Sequence, residues 1–358
     1  MGDVHLIVGG TKYGGWKGVR VTRSIESISG SFDLDVTDRW TDFEAYIPIQ
    51  REDACRVEVA GETVIDGYIE KRGISISASM RSLSFSGRDK AAALVDSSVL
   101  IERWSFRNAS VLHLAAAVCD PLGIRVSVQP GLVLPKAPAK TVINPGDTGF
   151  QVIERAAQAA GVLVVSDGAG GLVITRAGAA RATSLIEGQN IKEASVDYDG
   201  TSRFARYIVG TQIAGTDRAS GIATRIQGEA TDQGVRRPER VLLIRPEAGV
   251  TADYARRRAD WEARIRAAKA GTVSVTVCGW QQPSGALWPV NALVSIRSPS
   301  LGLDGDLLIS QVEYSIDDGG GEVTKLSLVR PDAFTPEPTP TVRTGGSGAW
   351  KELATGAL

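Results

Sequence analysis

VEVAGETVIDGYIEK, residues 57–71, decides how the first part of the chain is read. Gly61-Glu62 separates two alternating runs, Arg56–Ala60 and Thr63–Ile69. A period of two on both sides of a glycine-containing break is the pattern of a β-hairpin. The neighbouring stretches repeat it. Gly18–Ile25 alternates through Val19 and Val21, and Ser31–Val36 puts Phe32, Leu34 and Val36 on one face and Asp33 and Asp35 on the other. Ile74–Ala78 and Leu83–Phe85 continue the series. Strands of this kind close most readily as a small antiparallel barrel or sandwich. The set ends in SGRDKAAALVDSS, a strand running into a helical turn.

The other end of the chain has the same character. LWPVNALVSIRSPSLGLDGDLLISQV, residues 287–312, reads as two strands around a Gly/Asp turn and carries almost nothing that could do chemistry. Further strands are expected at Arg206–Val209, Arg240–Ile244, Thr272–Val277 and Val323–Val329. One helix, Ala252–Ala270, interrupts them, with Trp261, Ile265 and Ala268 as its apolar seam. The polar stretch Gly215–Arg240 reads as a long loop.

Between the two β regions the period changes. Asn108 is placed to cap a helix carrying Val111, Leu112, Leu114, Ala115 and Val118. Thr148 and Gln151 fit a capping box for a second helix, which Gly161 ends. VLVVSDGAGGLVIT follows as a hairpin. The expected fold class is therefore mainly β with α+β insertions, in several domains. A first small antiparallel β-barrel spans 1–100 and a small α/β module 101–187. A second barrel spans 188–332, with a loop and helix inserted at about 213–270, and a Pro/Gly-rich tail covers 333–358.

Composition narrows the function. Net charge is −1, so no bulk basic field draws the chain to nucleic acid or anionic lipid. Cys55, Cys119 and Cys278 are too scattered for a disulfide framework or a zinc site, and read as buried hydrophobes in a reducing compartment. The first residues lack a signal peptide, and no long apolar run suits a membrane span. Synthesis in a cytoplasm, without stable membrane insertion, is the expectation.

The search for chemistry is negative. His5 and His113 lie in different modules, and His113 on its apolar helix reads as a buried structural residue. A Ser-His-Asp or Cys-His arrangement has nothing to run on. GGTKYGGWKG lacks the order of a phosphate-binding loop and reads as a β-turn. Asp33 and Asp35 share one strand face, which suits solvation better than a calcium cage or a glycosidase pair facing across a cleft. The arginines of the 252–270 helix are interleaved with Asp253, Asp260 and Glu262, and fit a solvated or subunit-facing helix. No catalytic residue, metal ligand or cofactor is expected. A carboxylate-based cell-wall hydrolase and a carbohydrate- or receptor-binding module, the latter suggested by seven Trp residues, are the alternatives.

These pieces, with ESISGSFDLDVTDRW, NASVLHLAAAVCDPLGI, PGDTGFQVIERAAQAAGVLVVSDGAGGLVITR and RRRADWEARIRAAKAGTVSVTVCGW, resemble in order the baseplate hub proteins of Mu-like contractile-tailed phages. The resemblance covers about 1–334 and extends to the hub part of type VI secretion spike proteins. It implies a homotrimer with two similar β-barrels per subunit, so that three-fold symmetry approximates six-fold. The ring would join the tail tube to the trimeric cell-puncturing spike, contact baseplate wedge proteins and let DNA pass without specific binding. It would reside in the virion after assembly in the host cytoplasm. A contractile bacteriocin or a secretion machine could use the same part. Trp261, Trp280, Trp288 and Asn291 are then candidate interface or core anchors. The tail, with Trp350, is a candidate docking peptide.

Overall fold

The computed structural model describes residues 3–38, 48–77, 81–136, 140–178, 180–211, 226–245, 251–316 and 321–338. Seven strands come first: β1 (Val4–Val8), β2 (Thr11–Tyr13), β3 (Gly18–Ser24), β4 (Ser31–Asp38), β5 (Ala54–Val59), β6 (Glu62–Ile76) and β7 (Arg81–Asp89). Next come α1 (Ala92–Asp96), β8 (Ser105–Arg107), α2 (Val111–Cys119), β9 (Val126–Val128), β10 (Lys140–Val142), α3 (Gly149–Ala160), β11 (Leu163–Ser166) and β12 (Leu172–Thr175). Short β13 (Ala180–Arg181) and β14 (Leu185–Ile186) lead to β15 (Glu193–Tyr198). After these are β16 (Arg206–Thr211), β17 (Ile226–Thr231), β18 (Val241–Ile244) and α4 (Ala252–Lys269). The last strands are β19 (Gly271–Cys278), β20 (Ala292–Ser298), β21 (Leu303–Ile316) and β22 (Glu322–Val329).

The chain forms two compact units. The first comprises Met1–Tyr198 and Gly271–Pro336; the second comprises Asp199–Ala270 and Glu337–Leu358.

In the first unit the strands of both β regions join one 14-stranded sheet, whose main path runs β15-β19-β22-β21-β3-β4-β7-β6-β5-β1-β2. The link is the antiparallel pairing of β3 with β21, from Arg20↔Ser315 to Ser24↔Gln311. No sheet of the described residues closes into a barrel. The expectation of two barrels followed from local alternation, which fixes a strand's face but not which distant edge it meets. One continuous core lines this sheet, from Leu6, Phe32, Leu34 and Phe85 to Val275, Ile296, Val312 and Leu326.

The first hairpin pairs β5 with β6, and its turn is Ala60-Gly61 (φ +48° and +79°), one residue earlier than the spacing suggests. Two successive positive φ values make the turn whose twist matches antiparallel strands. The 287–312 stretch gives β20 and β21 in register Ser298↔Leu303, so its turn is Pro299–Gly302 and Asp304-Gly305-Asp306 lies inside β21.

The helical module packs α1, α2 and α3 through Leu94, Ala115, Val118, Val152 and Ile153. Thr148 and Gln151 make both bonds of the capping box on α3, and Gly161 (φ +65°) ends it. On α2 the cap is Ser110, which accepts from the His113 N–H at 3.2 Å, rather than Asn108, which takes a left-handed φ of +50°.

The second unit is the sheet β17-β16-β18 with α4 against it through Tyr207, Val209, Ala255, Ala259 and Ala263. β17 falls inside the stretch read as a loop. Its sequence, IQGEAT, alternates Ile226, Gly228 and Ala230 with polar residues, but two of the three are small, and a Cβ on Gly228 would lie 2.2 Å from the α4 backbone. The close approach of the helix, invisible locally, takes the place of larger side chains.

Candidate assembly site

Two buried polar joints tie the helical module to the large sheet. The first is built on Asp89, the last residue of β7, whose side chain is 1% exposed. One carboxylate oxygen accepts from the Gly30 N–H at 2.9 Å and the Ser166 hydroxyl at 2.7 Å; the other accepts from the Ala91 N–H at 3.1 Å. Gly30 leaves room for the buried Ile65 side chain, whose Cδ1 would stand 2.6 Å from a Cβ added there. Arg23 on β3 donates to the Ser166 carbonyl at 3.0 Å, and Lys90 reaches Asp66 at 3.0 Å. Burial raises the Asp89 pKa against the pull of its donors.

The second joint is Asn291, 6% exposed and at φ +62°. Its side-chain oxygen accepts from the Gly178 N–H at 3.1 Å, and its amide donates to the Arg176 carbonyl at 2.9 Å. Its own N–H donates to the Ile309 carbonyl at 2.9 Å. The exit of the module is thereby fastened to the start of β20. Nearby, Glu187 accepts from the Ser298 hydroxyl at 2.6 Å and the Ser300 N–H at 3.1 Å, and these bonds hold its pKa below the usual range.

Trp280 and Trp288 are buried in the core of the large sheet. Trp280 donates to the Ser315 carbonyl at 3.1 Å, and the Tyr314 hydroxyl donates to the Trp288 carbonyl at 2.6 Å. The Trp288 indole nitrogen has no hydrogen-bond partner among the described residues. In the second unit Trp261 is half-buried, with the Arg258 guanidinium 4.8 Å from its ring centre. Several arginines of that unit are engaged within it. Arg258 and Arg266 each reach buried Glu262 at 2.8 Å, and Arg203 holds Asp232 at 2.7 Å. Arg240 and Arg266 flank the Phe204 ring at 5.2 and 5.7 Å. Of the four candidate anchors, Trp280, Trp288 and Asn291 lie in the first unit and Trp261 in the second.

Residues considered for chemistry are dispersed. His113 is exposed, edge-on to Phe106 at 6.0 Å, and so is not the buried residue its helix suggested. It occupies the solvent side of α2, while Leu114 and Ala115 take the core side. Asp33 and Asp35 are exposed on β4. Gly9-Gly10 forms the β1–β2 turn. Cys55 and Cys119 are buried, but Cys278, at the end of β19, is exposed. Among the described residues no group of three or more His, Cys, Asp or Glu could hold a metal, and no helix is long and apolar enough to cross a membrane. The docking-peptide expectation falls mainly on 339–358, outside the described residues, whereas Ala333 is buried in a turn at Pro331–Phe334.

Along its main path the large sheet ends in β15 and β2, each paired on one side only among the described residues. Residues 3–89 match the family described as Mu phage baseplate assembly protein GpP-like, N-terminal; 91–176 match the second domain of baseplate hub protein gp44-like; 251–337 match the fourth domain of Mu phage baseplate assembly protein GpP. The chain is 32% identical over 353 residues to baseplate hub protein gp44 of Escherichia phage Mu, covering 92% of this chain and 88% of that protein. The 43 kDa tail protein of prophage MuSo2 from Shewanella oneidensis has the same fold at a TM-score of 0.83 and 36% identity, over 94% of this chain and 99% of that one. A tail protein from Neisseria meningitidis MC58 shares the fold at a TM-score of 0.78 and 22% identity, over 93% and 98% of the two chains. The chain belongs to the family of Mu-like phage baseplate hub proteins.

Proposed function

We propose that the chain is the structural hub of a contractile-tail baseplate: a homotrimeric ring that adapts the six-fold tail tube to the trimeric spike. The observation that carries this reading is the single sheet, antiparallel along its main path, that joins the β regions through β3 and β21, with strands paired on one side only at both ends of that path. Such a body has two related halves to present to a six-fold partner, and edges that a ring of copies would cover. The halves are the counterparts of two barrel-like domains, 1–100 and 188–332, with the module at 101–187 between them; the separate family matches to 3–89, 91–176 and 251–337 support this division.

In this reading the hub contacts the spike, the tube and the wedge proteins, and DNA crosses its channel without specific binding. A near-neutral chain suits that passage, because each phosphate neutralised by a cation would add affinity. The protein assembles in the host cytoplasm, resides in the virion and needs no catalysis, no cofactor and no membrane insertion. Trp280, Trp288 and Asn291 stiffen the body, and Trp261 anchors the smaller unit.

The test is to delete the coding sequence from a producing prophage and examine released particles by electron microscopy. Tubes and sheaths without baseplates, restored by the gene in trans, are expected. Complete baseplates in its absence would overturn the proposal.

A further inference from the structure

We draw no further inference here: the strongest candidate, the cavity of about 390 Å³ in the first unit, walled by Val162, Leu163, Phe334 and Pro336 with Arg176 beside them, carries nothing because no observation in the structure shows what covers it.

Discussion

The Asp89 carboxylate and the Ser166 hydroxyl, 77 positions apart, meet at 2.7 Å where the carboxylate is 1% exposed. Two backbone N–H groups complete the joint, so the helical module and the first β segment share one buried charge. The joint fastens the module to the sheet through contacts distant in sequence.

Asp89→Ala leaves three buried donors without an acceptor and is expected to cost about 2–4 kcal/mol. Urea unfolding measures it as a lower midpoint at constant slope. An unchanged midpoint would mean that the joint is hydrated or replaceable.

The joint also has a pH signature. The folded pKa of Asp89 lies above its ordinary value of 3.8, so the folded protein binds the extra proton. Stability from this group is fully present below 3.8 and is lost as pH rises through the raised value. Asp147 and Glu187, lowered by Arg155 and by Ser298, have the opposite sign. The difference between wild type and Asp89→Asn across this range isolates the Asp89 slope, and a difference that grows with pH would contradict it.

Asn291 combines a left-handed backbone with buried side-chain bonds. Asn291→Gly relieves the backbone and loses only the bonds, whereas Asn291→Ala suffers both, so the alanine variant is expected to be less stable by about 1 kcal/mol. Equal midpoints in denaturant would remove the backbone argument.

Burial pushes the Cys55 and Cys119 thiols up to about 12, while Cys278 is exposed. A disulfide reagent at neutral pH is expected to modify one thiol quickly in the folded chain and all three in denaturant. Rapid native reaction of two or more would mean that the core opens on that timescale.

Local features were legible in the sequence where one segment decides its own conformation. The 57–71 hairpin, the Thr148–Gln151 box and the α4 helix follow from alternation, capping chemistry and helical spacing. Features set by distant partners were not legible. Nothing near Asp89 announces Ser166, and nothing in β17 itself announces that α4 packs against Gly228. The β3–β21 pairing, which merges the two β regions, joins residues nearly 300 apart and leaves no local mark. Of the four residues singled out, Asn291 had a role in joining modules that only its contacts with Arg176 and Gly178 reveal.

A ring of three copies is tested most directly by the solution mass of the full-length chain, measured by light scattering across a wide concentration range. A species of three times the 37.8 kDa chain that persists on dilution is expected. A 37.8 kDa monomer at every concentration would contradict it.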